Sequence, residues 1–223
     1  MTRVIIIGNG KLKDAIKNHF CDYSSLSVIG YSNDVKINET DVLVHVGSGR
    51  QYVESLKMAN KHGAAYIQAA TEKEYKLDIP FELNIKYISA SNLDINIIKL
   101  LYWLEMSYGL FDDERKEIVE SHQKEKKSKP GTAISMCGYL NIAPREIISI
   151  RDPEIQKAMN ISNTGHHAYH RIEIGDDESK IMIETKIEGA LSYVKGLAKI
   201  VECLPDLESE VYEVEDLVKL KLL

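Results

Sequence analysis

Hydrophobic and polar positions fall into two rhythms along the chain. The stretch at 4–7 (Val-Ile-Ile-Ile) is apolar at consecutive positions, the pattern of a strand buried on both faces; 41–46 (Asp-Val-Leu-Val-His-Val) reads as another buried strand, and 27–31, 65–68 and 85–88 read as further strands. Between and after them, 11–20, 51–62 and 95–106 carry apolar residues at helical spacing. Strand and helix in alternation predict a parallel sheet with crossover helices. The helix over 95–106 is apolar on nearly every side and is expected between layers.

The rhythm changes after 108–113, the expected crossing into a second domain. Glu117-Ile118-Val119-Glu120 predicts a short strand, which a charged loop follows, carrying His122, Lys124, Lys126, Lys127 and Lys129. Pro130-Gly131-Thr132 then opens a helix whose body is 133–139. A strand is expected over 146–150. Residues 166–174 and 180–187 alternate in character around Gly175-Asp176-Asp177, which predicts a hairpin. Residues 189–204 are apolar at helical spacing and are expected to return to the first domain. The tail, 207–223, alternates acidic and apolar residues and points to no function.

Each strand of the first half ends at small residues. Gly8-Asn9-Gly10 follows the first strand and runs into a helix beginning with Lys11 and Leu12, which is how a dinucleotide-binding unit begins. Gly8 permits the tight turn, and Gly10 lets backbone approach a pyrophosphate seated on the helix N-terminus. Lys13 stands where a third glycine is usual, so helix and strand are expected to pack less closely. Gly47-Ser48-Gly49, Ala69-Ala70-Thr71 and Ser89-Ala90-Ser91-Asn92 follow later strands, and the carboxyl ends of parallel strands are where ligands sit. The second strand ends at Tyr31-Ser32-Asn33 without the usual acidic residue. Either Asp34 takes that role toward NAD, or Ser32, Asn33 and Lys36 accept the 2′-phosphate of NADP, the preferred reading. The fold class is therefore α/β, an N-terminal Rossmann-type dinucleotide-binding domain plus an α+β domain with an open mixed sheet. The expected domains are 1–112 for the dinucleotide, 113–188 for substrate and oligomerisation, and 189–223 as a helix and tail returning to the first.

Charge narrows the partners. With 28 basic and 34 acidic side chains in 223 residues the net charge is −6, which argues against nucleic acid or a membrane surface and leaves the loop lysines as a local feature. Cations ahead of a helix N-terminus suit a small anion, carboxylate or phosphate, although a lysine run alone is more often a solvated loop. Three cysteines, Cys21, Cys137 and Cys203, lie far apart in no ligand spacing, so a reducing compartment is expected. The apolar run at 4–7 is too short for a signal peptide and no stretch is long enough to span a bilayer, so a cytoplasmic location is expected. His166, His167 and His170 lack a completing ligand, and no metal site is expected. An open sheet in the second domain has a face to cover, which predicts a homo-oligomer, dimer or tetramer, formed through it.

At 120–133 the chain resembles the dihydrodipicolinate reductase family, the nicotinamide-dependent enzymes of diaminopimelate and lysine biosynthesis. That family's second-domain signature is Glu-x-His-His, a lysine three positions after the second histidine, and Asp-Ala-Pro-Ser-Gly-Thr-Ala. Here it reads Glu120-Ser121-His122-Gln123, Lys126, and Ser128-Lys129-Pro130-Gly131-Thr132-Ala133. Gly8-x-Gly10, Ala69-Ala70-Thr71 in place of Thr-Thr-Gly, Ala90-Ser91-Asn92, Gly165-His166-His167 in place of Gly-Glu-His, and Tyr193-Val194-Lys195-Gly196 in place of Phe-Ala-x-Gly follow in matching order.

The resemblance implies hydride transfer from NADPH or NADH to an unsaturated cyclic imine carrying two carboxylates, then protonation of the neighbouring carbon. It makes His122 and Lys126 the acid candidates and gives the substrate carboxylate to Gly131 and Thr132, with Gln123 at the second histidine. It assigns the cofactor to Gly8, Gly10, Ala69, Ala70, Thr71, Ser91 and Asn92, to which the glycine turn's helix start adds Lys11 and Leu12 and the end of the second strand adds Ser32. The departures are specific. Gln123 cannot be protonated, one residue is missing between Pro130 and Gly131, and Thr185 replaces a histidine on the last strand. Asp94 and Asn96 replace small residues, so Asp94 is expected to bring negative charge near the substrate's path. A divergent paralogue reducing another imine or an amino or keto acid, and a nucleotide-binding sensor without a reaction, are the alternative readings.

Overall fold

The consecutive apolar stretches become the centre of a parallel sheet. In the computed structural model, which describes residues 1–32, 34–47, 51–70, 81–126 and 130–223, strands β1 (Thr2–Ile7), β2 (Leu26–Gly30), β3 (Val42–His45), β4 (Ala65–Gln68), β5 (Tyr87–Ser89) and β10 (Val211–Glu213) pair in the order β10-β5-β4-β3-β1-β2, every pairing parallel. Successive side chains of β1 point to opposite faces: Val4 and Ile6 join one core, Ile5 and Ile7 the other. That double burial is why the run has no polar residue. Helices α1 (Lys11–His19), α6 (Leu191–Cys203) and α7 (Val214–Lys219) supply Ile16, Val194, Leu197 and Leu217 to the first core. Helix α2 (Tyr52–His62) supplies Tyr52, Leu56 and Ala59 to the second.

The chain forms two units, Met1–Ile98 with Ala190–Leu223, and Lys99–Gly189. The boundary between Ile98 and Lys99 lies within helix α3 (Ile95–Met106). This helix is not buried all round: Ile97, Ile98, Leu101 and Leu104 are enclosed, while Trp103 and Met106 are exposed. The tail holds two elements its sequence does not announce, β10 and α7. Three residues with a glutamate and a half-buried tyrosine show no strand pattern, and pairing with β5 makes them one.

The second unit contains a four-stranded sheet in the order β7-β6-β8-β9, from β6 (Lys116–His122), β7 (Ile148–Ile150), β8 (His167–Gly175) and β9 (Lys180–Glu188). β6 and β7 run parallel and the other pairings are antiparallel, so the sheet is mixed. Gly175 turns the hairpin at φ 105°, where a Cβ would lie 2.1 Å from the Ser179 carbonyl oxygen, and the Asp176 carboxylate accepts from the Glu178 and Ser179 N–H groups. The expected short strand at 117–120 is longer. β8 pairs along β6 as far as His122 opposite Ala168, so His122 ends a strand and does not lie in the charged loop. His166 precedes β8 in a turn closed by its N–H to Asn163, which leaves His167 and His170 on opposite faces of the strand.

Candidate functional site

In the first unit the cofactor candidates gather where the parallel strands end. Gly8 has φ 112°, and a Cβ there would fall 2.5 Å from the Gly47 backbone, so only glycine lets the ends of β1 and β3 meet. β1 lies between β3 and β2, so the switch in strand order stands beside this turn. Gly10, at φ 117°, precedes α1, and a Cβ on it would meet nothing within 4 Å. The backbone there is bare and reachable, and no side chain caps α1, so its first N–H groups suit a pyrophosphate. The residues present therefore fit a dinucleotide. Lys11 is exposed, and Leu12 packs on the core and seats the first turn. Lys13, in the third glycine's place, donates to the Asn9 side chain at 3.1 Å.

Ser32 is exposed after β2. Beside Gly30, the last residue of that strand, stands the Lys17 ammonium, 3.5 Å from where a Cβ would be. In the sequence this lysine is an ordinary position of α1 and carries no signal. Ala69 continues β4 through its N–H to the His45 carbonyl, and Ala90 continues β5 through its N–H to Gln68; Ala70 follows Ala69, and Thr71 lies outside the described residues. Below these turns His45 Nδ1 and Gln68 Oε1 are 2.7 Å apart in the interior, tying β3 to β4. Ser91 is exposed, and the Asn92 side chain accepts from the Asp94 N–H. Asp94 is buried and its carboxylate accepts from the Ile97 N–H, capping α3. Gly196 of α6 comes so close to this turn that a Cβ would lie 1.7 Å from the Leu93 carbonyl oxygen.

The second unit's site is built on β6. Glu120 is fully buried, and its carboxylate accepts from His122 Nδ1 at 2.6 Å, Ser149 Oγ at 2.5 Å, and Arg151 at 2.6 and 3.1 Å. Burial alone would raise its pKa, yet the hydrogen bonds from His122, Arg151 and Ser149 outweigh it and hold it at about 2. An ionised carboxylate only accepts, so Nδ1 of His122 carries a hydrogen. That leaves Nε2 as the atom at which His122 can take or release a proton. Gln156 of α5 (Pro153–Ala158), itself buried, donates to the His122 carbonyl at 2.9 Å and pins the strand end. Ser149, Arg151 and Gln156 carry no signal in the sequence, since each lies about 30 residues from the motif it serves.

After His122 the chain turns back. The Gln123 carbonyl accepts from the Lys126 N–H at 3.0 Å, and Lys126 returns to the neighbourhood of Glu120 and Arg151. Burial lowers the Lys126 pKa, with Glu120 opposing and Arg151 adding to the effect. Lys124 is exposed, while Lys127 and Lys129 lie outside the described residues. Gly131 and Thr132 open α4 (Gly131–Tyr139), preceded by Pro130 with no side-chain cap. Thr132 is therefore inside the first turn and is not the capping residue. A Cβ on Gly131 would meet nothing within 4 Å, so the turn is open to a ligand.

No protein-family model matches the chain. Among curated relatives, the 4-hydroxy-tetrahydrodipicolinate reductase of Rickettsia canadensis is 24% identical over 200 residues, covering 85% of this chain and 83% of its own. Among solved structures, the dipicolinate-bound dihydrodipicolinate reductase from Paenisporosarcina sp. TG-14 matches with a TM-score of 0.70 at 14% identity, over 97% of this chain and 99% of that one. An engineered D-amino acid dehydrogenase bound to NADP+ matches with a TM-score of 0.52 at 11% identity, over 98% of each chain. The sequence likeness and the shared fold point the same way: this chain is similar, as a divergent sequence, to the 4-hydroxy-tetrahydrodipicolinate reductases.

Proposed function

We propose that the chain is an NAD(P)H-dependent reductase of a small cyclic imine bearing two carboxylates, with dihydrodipicolinate the leading substrate. The observation that carries the reading is the Glu120–His122 pair, in which a buried carboxylate fixes one ring nitrogen and leaves the other for proton transfer. Bound NAD(P)H supplies the hydride. Negative charge then grows on the imine ring, and His122 with Lys126 stabilises it and delivers a proton to the adjacent carbon. Lys126, partly withdrawn from water, holds its proton less tightly than a free lysine and so releases it more readily. Gly131 and Thr132, in the first turn of α4, bind a substrate carboxylate through N–H groups and the hydroxyl. Gln123 contributes a neutral hydrogen-bonding contact where the resemblance has a histidine.

NADPH is the favoured cofactor in this proposal. β2 ends beside the Lys17 ammonium and the Ser32 hydroxyl, a pairing suited to a 2′-phosphate. Lys17→Ala is expected to weaken NADPH about tenfold, the value of one charge-assisted contact, and to leave NADH nearly unchanged; titration calorimetry with both cofactors checks it, and an equal loss for both would remove Lys17 from the ribose site.

The assay follows NADPH and NADH absorbance with enzymatically generated dihydrodipicolinate. His122→Ala and Lys126→Ala are each expected to lower kcat by about a hundredfold or more while cofactor affinity stays within a few fold. Wild-type rates in both variants would exclude these residues from the chemistry. Cofactor binding with no turnover of any imine offered would leave a nucleotide-binding sensor as the reading.

A further inference from the structure

We propose that His170 is a positioning residue for His122, holding that ring from the β8 side in the orientation that presents Nε2. Its consequence for turnover rests on the reductase reading; its consequence for the His122 ring does not.

The strand register brings the parts together. Glu120 is paired with His170 across β6 and β8, and His170 with Thr185 across β8 and β9, so the three side chains share one face of the sheet, with His122 two residues from Glu120. The His122 and His170 rings meet edge to face, with centroids 5.7 Å apart and planes at 76°. His170 Nδ1 lies 3.3 Å from Thr185 Oγ1, which fixes its rotation. Its Nε2 is buried and has no hydrogen-bond partner among the described residues. A phenylalanine or methionine would fill the space without that cost, so an imidazole here is not explained by packing.

The groups facing it are Glu120 and His122 on β6, Lys126 in the loop beyond, and the uncharged Thr185 on β9. Burial first, then repulsion from His122 and Lys126, lowers its pKa to about 3 against the opposing pull of Glu120. His170 therefore stays neutral at working pH. A neutral ring steers His122 without competing with it for Glu120 and without adding a charge to the site. The resemblance puts a histidine at position 185, where this chain has threonine, and His170 stands directly opposite.

The test compares wild type, His170→Phe, His170→Thr, and the exchange variant His170→Thr with Thr185→His. Long-range proton–nitrogen NMR of the imidazoles reports the His122 tautomer, and steady-state kinetics with dihydrodipicolinate and NADPH report kcat and KM. Phenylalanine keeps the bulk but loses the anchor on Thr185. His170→Phe is expected to let the His122 ring turn so that Nδ1 leaves Glu120, which mixes the His122 tautomers, and to lower kcat about tenfold, with the cofactor KM unchanged and thermal stability near wild type. The exchange variant is expected to recover most of what His170→Thr loses. A single wild-type tautomer with wild-type kcat in His170→Phe would overturn the proposal, as would a folded exchange variant no better than His170→Thr. Should wild type reduce no imine, the reductase reading falls and the tautomer measurement alone decides the role of His170.

Discussion

Glu120 is the most heavily hydrogen-bonded carboxylate on the second sheet. Four incoming hydrogen bonds keep it charged in the interior against the cost of its burial. Its pKa falls from an ordinary 4.5 to about 2, so it stabilises the fold fully above pH 4.5 and that contribution is lost as pH falls toward 2. Such a shift corresponds to about 3 kcal/mol. His170 acts in a higher window. Its pKa falls from 6.5 to about 3, so the unfolded chain takes up a proton that the folded one refuses. Stability from this residue is complete above pH 6.5 and declines below it. Urea unfolding from pH 7.5 to 4 is expected to show stability falling with acid from about pH 6.5. His170→Phe should flatten the part between 6.5 and 4.5, and a wild-type curve level across that range would contradict the account.

At the scale of elements, the helices and turns that hold the sites follow from close approaches. α6 reaches the turn carrying Asn92 only because residue 196 has no side chain. Gly196→Ala would force helix and turn apart, and is expected to lower stability by about 1–3 kcal/mol and to weaken NADPH with it. Denaturant melts and cofactor titration check both, and unchanged values would show that α6 does not hold the turn. The β6 strand was legible as far as Glu120, where the apolar pattern stops. Its last turn of pairing was not, because His122 owes its strand conformation to β8 alongside and to Gln156 from α5, neither of which is near it in sequence. The apolar pattern of α3 specifies a helix but overstates its burial, since Trp103 and Met106 are exposed.

For the molecule as a whole, there are two units with separate sheets, and no described helix is long and apolar enough to cross a membrane. One face of the second sheet, opposite the Glu120–His170 face, bears Glu117, Arg171, Glu173 and Glu184 around Tyr169, with Met182 exposed on β9. We propose that this face carries self-association, as a dimer or tetramer. Light scattering coupled to gel filtration is expected to give a mass that is a multiple of 25.2 kDa, and Met182→Lys to shift it toward one copy. A wild-type monomer at tens of micromolar would count against the surface.

Local pattern determined a good deal: the parallel sheet, the Gly8 and Gly10 turn, the α/β character and the motif around His122, Lys126 and Thr132. Those features depend on alternation, backbone freedom and spacing, which are written in neighbouring residues. Only the tertiary structure decided that Glu120 would be ionised and shared among His122, Ser149 and Arg151, that Asp94 would cap a helix, that the tail would add a strand, and that His170 would face His122. Each of these depends on desolvation and on partners far apart in the chain, and such couplings exist only once the strands are in register.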